Sequence, residues 1–203
     1  MKRSVKIAMA LIVVGAAAGG IAFTFVRQHG FSARDRPWKM EAYIARHIRR
    51  LAIPSAARKA TNPIPATPEV LGEARSHFAD HCATCHANDG SGDSEIGRNL
   101  YPPAPDMRKP DTQSLSDGEL FYIIHNGVRF TGMPAWGGED PAEDQDSWKL
   151  VLFIRHLPKL TAEEVREMKT LNPKSKHEME EEQDIEKFLR GDEEEASSPA
   201  HHH

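Results

Sequence analysis

The longest apolar run of the chain lies at its N-terminus. Residues 7–26 carry no charge and follow the basic segment 1–6. Twenty residues form a helix of about 30 Å, which matches the hydrocarbon core of a bilayer. The pattern therefore predicts a signal anchor, a transmembrane helix over 1–26. A cleaved signal peptide is the alternative, because Ala16 and Ala18 are small residues at a suitable offset for cleavage.

A shorter helical pattern follows in a basic juxtamembrane linker, residues 27–67. Its apolar residues at helical spacing are Met40, Ile44, Ile48 and Leu51, beside Trp38. The pattern predicts an amphipathic helix with a basic polar face. Such a helix either lies on anionic lipid or packs on the domain that follows. The prolines of the segment 63–68 prevent a helix from continuing, and they mark the domain boundary.

Residues 68–160 show helical patterns and no clear strand. One helix is predicted over Glu69–His81, with its apolar residues on one face. A second begins at a capping box formed by Ser116 and Glu119, and a third runs over about 145–157. A few helices joined by long loops make a poor core by themselves. We therefore expect another group to fill the middle of this domain.

Charge is distributed unevenly along the chain, although the net charge is only -4. Basic residues prevail before residue 68 and acidic residues after it. Residues 161–203 contain runs of glutamate and few aromatic residues, which predicts an acidic, partly disordered tail. The terminal His201–His203 have no assigned role. So acidic a tail suggests no nucleic-acid partner.

The two cysteines of the chain stand in HCATCHAND, residues 81–89. A redox disulfide across two residues is typical of a strand–helix unit, and no such unit is visible. A zinc site needs four ligands, and the domain has no second cysteine pair. Cys82 and Cys85 followed by His86 have the spacing at which two thiols attach a haem and a histidine lies beneath the iron. A chance match with a structural role is the remaining alternative.

Four further segments surround the cysteine motif. The segment ARSHFADH precedes it, and the loop NLYPPAPDM, the turn GMPAW and the helix WKLVLFIRHL follow it in this order. Together with CATCH they resemble a monohaem class I cytochrome c of the membrane-anchored bacterial type. The resemblance covers residues 68–160. It implies an all-α fold of three to five helices around a covalently bound haem, preceded by the N-terminal transmembrane helix.

The resemblance also assigns roles to individual residues. It implies that Cys82 and Cys85 form the thioether links of one haem c, that His86 is the proximal iron ligand and that Met133 is the distal one. The prolines that could offer a carbonyl to the other nitrogen of the histidine are Pro102, Pro103 and Pro105. The less favoured candidates for the distal ligand are Met107, His81 and His125.

The resemblance further matches Ala74 and Phe78 to the crossing of the first helix with the last, opposite Phe153. Small departures from the family are the alanine at this crossing and Ala87, where glycine often follows the haem-binding histidine. Both departures are compatible with the predicted fold.

An iron whose two axial positions are filled has no open site for oxygen or peroxide, so the predicted function is electron transfer and not catalysis. The alternatives are a haem-based sensor, in which Met133 yields to a diffusible ligand, and a redox subunit of a larger membrane complex. Expected partners are the membrane and redox proteins, a respiratory complex among them.

Haem attachment outside the cytoplasm predicts a domain on the periplasmic or extracytoplasmic side of a bacterial inner membrane. A second signal conflicts with this orientation. Four basic residues flank the far end of the apolar run, namely Arg27, Arg34, Arg36 and Lys39. The positive-inside rule would weakly favour the reverse topology.

Overall fold

The structure is a computed structural model that describes residues 3–30, 32–174 and 176–190. These residues contain helices and no strand. The α-helices are α1 (Arg3–His29), α2 (Lys39–Ala52), α3 (Ser55–Lys59), α4 (Pro68–His77), α5 (Ala83–His86), α6 (Glu95–Asn99), α7 (Pro110–Gln113), α8 (Asp117–Asn126), α9 (Gln145–His156), α10 (Ala162–Thr170) and α11 (Lys176–Arg190). A π-helical turn, Phe78–Cys82, joins α4 to α5, and a 3-10 turn, Leu157–Lys159, follows α9.

Helix α1 contains the whole predicted apolar run. It is long and apolar enough to cross a membrane, and none of its residues is buried against the rest of the protein. A signal sequence near an N-terminus can also be long and apolar enough to form such a helix. Anchoring through α1 therefore stays a prediction.

The centre of the fold is the crossing of α4 with α9. Phe78, at the end of α4, packs against Phe153 of α9 with ring centroids 5.0 Å apart. Ala74 is buried at the same crossing, where its small side chain lets the helices approach closely. Helix α8 packs on α9 and contributes Leu120, Phe121 and Ile124 to the core. These are the helices that the sequence pattern predicted, and the all-α fold class is confirmed.

Helix α8 begins as its sequence predicts. Ser116 accepts a hydrogen bond from the backbone of Glu119, and the Glu119 carboxylate accepts one from the backbone of Ser116. This reciprocal pair satisfies two backbone N–H groups that have no partner within the helix.

Packing continues beyond the predicted boundaries at residues 68 and 160. Ile53, in the linker, is only 2 % exposed, and a Cβ on Gly118 would clash with the backbone of Ala57, so α3 and α8 are in close contact. On the other side, Met168 of α10 is fully buried in the core. The packed unit therefore includes α3 and α10.

The acidic tail has two parts in the structure. Helix α10 starts at a capping box on Thr161 and is tied to α4 by ion pairs from Arg75 to Glu164 and Glu167. Helix α11 exposes its apolar residues, among them Phe188 and Leu189. The runs of glutamate and histidine after residue 190 lie outside the described residues.

Candidate haem site

The cysteine motif is delivered by the end of α4. The chain passes through the π-helical turn, in which Phe78 and Ala79 are buried, and then forms the single turn of α5. Cys82 and Cys85 are three residues apart in this helical stretch, so they lie on the same side of it. Both are partly buried, and their thiols are not joined in a disulfide. His86 follows directly as the last residue of α5.

Burial favours the neutral forms of Cys82 and His86. Burial, and to a smaller extent the neighbouring Cys85, raises the pKa of the Cys82 thiol to about 12. Burial also lowers the pKa of His86, although the backbone of Pro105 opposes this shift. A neutral imidazole keeps a nitrogen lone pair available for a metal. Two unjoined thiols beside a half-buried, neutral imidazole fit the haem that the resemblance implies.

The structure also discriminates among the three prolines. The backbone of Pro105 interacts with the His86 ring, whereas His86 Nδ1 is buried and makes no hydrogen bond of ordinary geometry. A carbonyl held near this nitrogen would orient the ring, as partners of metal-binding histidines usually do. Among the three prolines, Pro105 is therefore the one whose backbone lies near His86.

A cluster of charges holds the Pro105 loop in place. Arg108 donates to Asp106 through Nε at 2.8 Å and to Asp89 through Nη1 at 2.8 Å. These bonds hold the pKa of Asp106 down at about 2, with the Arg108 side chain as the largest cause. Because Asp89 lies three residues after His86, the cluster joins the proline loop to the cysteine motif. Sequence reasoning missed it, since nothing local signals that Asp89 and Arg108 meet.

Helix α6 lies directly against the cysteine motif. A Cβ on Gly97 would clash with the carbonyl of Cys85, so only glycine allows this approach. Ser94 caps α6 by accepting from the Gly97 backbone at 2.8 Å, and its hydroxyl donates to the Thr84 carbonyl at 2.7 Å. This contact was also missed by sequence reasoning.

The predicted distal residue, Met133, lies in a tight loop after α8. Its backbone N–H donates to Thr131 Oγ1 at 3.1 Å, and its carbonyl accepts from Val128 at 3.0 Å. The loop returns to α8, where the Trp136 N–H donates to the Ile124 carbonyl at 3.2 Å. The side chain of Met133 is half-buried.

Two contacts bring the Met133 loop next to the cysteine motif. The indole of Trp136 meets the ring of His81, the residue before Cys82, edge to face with centroids 5.5 Å apart. On the other side, a Cβ on Gly132 would lie 2.6 Å from the side chain of Leu100, which ends α6. Trp136 remains 40 % exposed, so it is not a core aromatic.

The other candidates for the distal position have other partners. Met107 is buried in the hydrophobic core. His81 is exposed and lies 3.1 Å from the carboxylate of Asp80. His125 is buried, and its Nδ1 lies 2.6 Å from Asp144 Oδ2.

The buried pair of His125 and Asp144 joins the end of α8, the start of α9 and the Met133 loop. Asp144 caps α9 by accepting from the Ser147 N–H at 2.9 Å, while the His125 carbonyl at the end of α8 accepts from Gly137. Burial raises the pKa of Asp144, but the bonds from Ser147 and His125 outweigh it and leave the pKa lowered. A Cβ on Gly137 would clash with the imidazole, so the loop lies directly on this pair.

Ala87 carries backbone strain directly behind His86. It has φ 58° and ψ 157°, a region that side chains with a Cβ rarely adopt. We expect Ala87→Gly to raise the free energy of unfolding by about 1 kcal/mol, because relief of the strain exceeds the entropy that glycine adds to the unfolded chain. Denaturant unfolding measures the change. The control, Ala83→Gly within α5, should destabilise the protein instead, and a destabilised Ala87→Gly variant would contradict the strain.

The domain combines the crossed helices α4 and α9 with a cysteine pair, an adjoining histidine and a methionine loop packed beside them. This combination defines a c-type cytochrome domain of class I. In agreement, residues 70–154 match the family described as Cytochrome C oxidase, cbb3-type, subunit III. No curated protein matches the chain. The resemblance predicted from the sequence is thus confirmed: the chain carries a c-type cytochrome domain, whose cofactor is haem c and whose general function is haem-based electron transfer.

Proposed function

We propose that this protein carries single electrons on one haem c, covalently linked to Cys82 and Cys85, with His86 and Met133 as the axial ligands of the iron. The observation that carries this proposal is the contact of Trp136 with His81, supported by that of Gly132 with Leu100. They support the proposal because they bring the loop that contains Met133 beside the motif that contains His86.

The bound haem supplies an iron that alternates between the ferric and ferrous states. His86 contributes a neutral imidazole, because burial disfavours its protonation. Met133 contributes a neutral sulfur, which favours the ferrous state and raises the reduction potential. With both axial positions occupied by the chain, an added ligand would have to displace a side chain. This arrangement suits a carrier and not an enzyme.

Helix α1 holds this domain on the extracytoplasmic side of a bacterial inner membrane in our proposal. Its length and hydropathy suit a membrane span, and the attachment of haem c outside the cytoplasm supports the orientation. The partners would then be redox proteins that reach the same side of the membrane.

A second candidate function is that of a redox subunit held in a larger respiratory complex. The description of the matched family, which names an oxidase subunit, favours it. Both candidates use the same electron-transfer chemistry. Purification in mild detergent distinguishes them, since a complex subunit would retain other chains in constant proportion.

Covalent attachment is tested by extracting the haem into acidified organic solvent. We expect none to leave the wild-type protein, whereas the double variant Cys82→Ser with Cys85→Ser should lose all of it, because no thiol remains to form a thioether. The reduced spectrum in pyridine should shift in each single variant, which keeps only one link. Ser76→Ala, an exposed change on α4, serves as the control. Haem extracted from the wild type would contradict the attachment.

A further inference from the structure

Helix α2 is amphipathic, but its two faces are oriented against the usual rule. Its apolar residues point into solvent, whereas the charged residues Glu41, Arg46 and Arg50 contact the cytochrome domain. The exposed apolar side chains are Trp38, Met40, Tyr43, Ile44, Ile48 and Leu51. Their spacing places those within α2 on one continuous stripe of the helix.

The opposite face of α2 is bound to the domain through polar contacts. Arg46 pairs with Asp111 of α7 at 3.1 Å, and Arg50 lies 3.9 Å from Glu119 of α8. At the N-terminal end of α2, the Tyr101 hydroxyl donates to Glu41. Contacts at both ends of α2 fix its rotation about its own axis. The apolar stripe must therefore point away from the domain.

The start of α2 lies beside the predicted membrane anchor. The ring of Trp38 meets Phe25 of α1 edge to face, with centroids 6.2 Å apart. Phe25 is four residues before the end of α1, which is about 6 Å along the helix. Trp38 is thus folded back to the level of the last turns of α1. Tryptophan is enriched at this depth, where a bilayer meets water.

Cations accompany the apolar stripe at this end. Arg34, Arg36 and Lys39 are exposed, and they lie in or next to the short connection between α1 and α2. Basic residues beside an apolar helix face are attracted to anionic headgroups. An exposed apolar stripe, an interfacial tryptophan and nearby cations all suit the same partner, a lipid surface.

We propose that α2 lies in the interface of an anionic bilayer, with its apolar stripe in the lipid and its charged face carrying the cytochrome domain. The inference rests on the proposed anchoring through α1 and goes beyond it. A single anchor on a loose linker would leave the domain free to tumble. A second, interfacial contact would hold it close to the membrane in one orientation, so that its haem meets partners in a fixed geometry.

The test uses the full-length, haem-loaded protein in nanodiscs of phosphatidylcholine and phosphatidylglycerol, with one chain in each disc. A photoactivatable diazirine dissolved in the lipid phase labels the residues that contact lipid, and mass spectrometry locates the labels. We expect labels on α1 and on the segment 39–51. The segment around Phe130 should stay unlabelled, although this side chain is 94 % exposed.

Two matched variants sharpen the result. The double variant Ile44→Ser with Ile48→Ser should lower labelling of the segment 39–51 several-fold, while Phe188→Ser, an exposed change on α11, should leave it unchanged. The three substituted residues, Ile44, Ile48 and Phe188, are all exposed, so the haem spectrum should be the same in each protein. The comparison of α2 with the Phe130 segment in the wild type tests the proposal even if the double variant does not fold.

Different outcomes overturn different statements. Labels on α1, together with labelling of the segment 39–51 no greater than that around Phe130, would overturn the lipid contact and leave the anchor standing. An unlabelled α1 would overturn the anchor itself. If α2 is unlabelled and becomes protected from solvent only when several chains share a disc, a second copy covers the stripe, and the lipid proposal is wrong.

Discussion

Replacing Met133 by alanine should leave the haem attached and open one face of the iron. The thioether links do not involve this side chain, so the haem should still resist extraction. Loss of the soft sulfur should lower the reduction potential by on the order of 0.1 V or more, within the range of about 0.8 V that axial ligands span. Reduced Met133→Ala should bind carbon monoxide at least about tenfold faster than the wild type, in which the sulfur must first leave. Potentiometric titration and flash photolysis measure the two effects.

The matched control is Met107→Leu. This methionine is the nearest rival in the sequence, but it is buried in the core, where leucine of similar volume is tolerated. The control should therefore keep the potential and the slow binding of the wild type. If the wild type already binds carbon monoxide as fast as Met133→Ala, the sixth position is open, and the sensor reading replaces the electron carrier.

Replacing Asp144 by alanine should cost about 3–5 kcal/mol of unfolding free energy. The change leaves the buried His125 without its partner at 2.6 Å and removes the cap of α9. Because the Trp136 and Gly137 amides bond to the end of α8 beside this pair, the Met133 loop should loosen as well. Denaturant unfolding measures the first effect. A weaker absorption band of the iron–sulfur bond in the ferric protein measures the second.

Two variants test whether the loss of stability comes specifically from the pair of Asp144 and His125. Asp144→Asn keeps one oxygen that can accept from the Ser147 N–H and places an amide NH2 next to His125 Nδ1, to which it can donate in the other tautomer of the ring, so it should lose less than alanine. Glu143→Ala, at the exposed neighbouring position, should have little effect.

A lowered pKa means that the Asp144 carboxylate stabilises the fold at pH values above its ordinary pKa, and that this contribution is lost as the pH falls through the lowered one. Asp144→Asn should lack this acid-dependent loss. An unchanged Met133 band in Asp144→Ala would contradict the role in the loop.

Local patterns were sufficient wherever the information lies within a few residues. The capping box of Ser116 and Glu119 places the start of α8, because both hydrogen bonds form inside one helical turn. The pairing of Phe78 with Phe153 followed from the resemblance and is confirmed by their contact. The roles of Cys82, Cys85, His86 and Met133 as haem partners stay predictions.

Long-range packing explains the burial of Met168 and Ile53, which the sequence pattern did not predict. Met168 lies in a segment whose composition suggested a solvated tail, yet α10 folds back and buries it completely. Thr161 and Glu164 form a capping box like that of α8, which was a local signal for this helix. Nothing local, however, shows that Met168 of this helix joins the hydrophobic core of the domain. Burial of Ile53 in the linker has the same cause.

By itself the sequence determined the fold class, the helices α4, α8 and α9 and the haem-attachment spacing, because each is encoded by neighbours along the chain. Tertiary structure alone decided that Pro105 approaches His86, that Arg108 bridges Asp106 and Asp89, and that Asp144 holds His125. It also decided that the apolar stripe of α2 faces outward. The hydrophobic period of α2 could not predict this direction. A hydrophobic period defines a face of a helix, but the position of that face depends on the charges of residues far away in the chain, here Asp111 and Glu119.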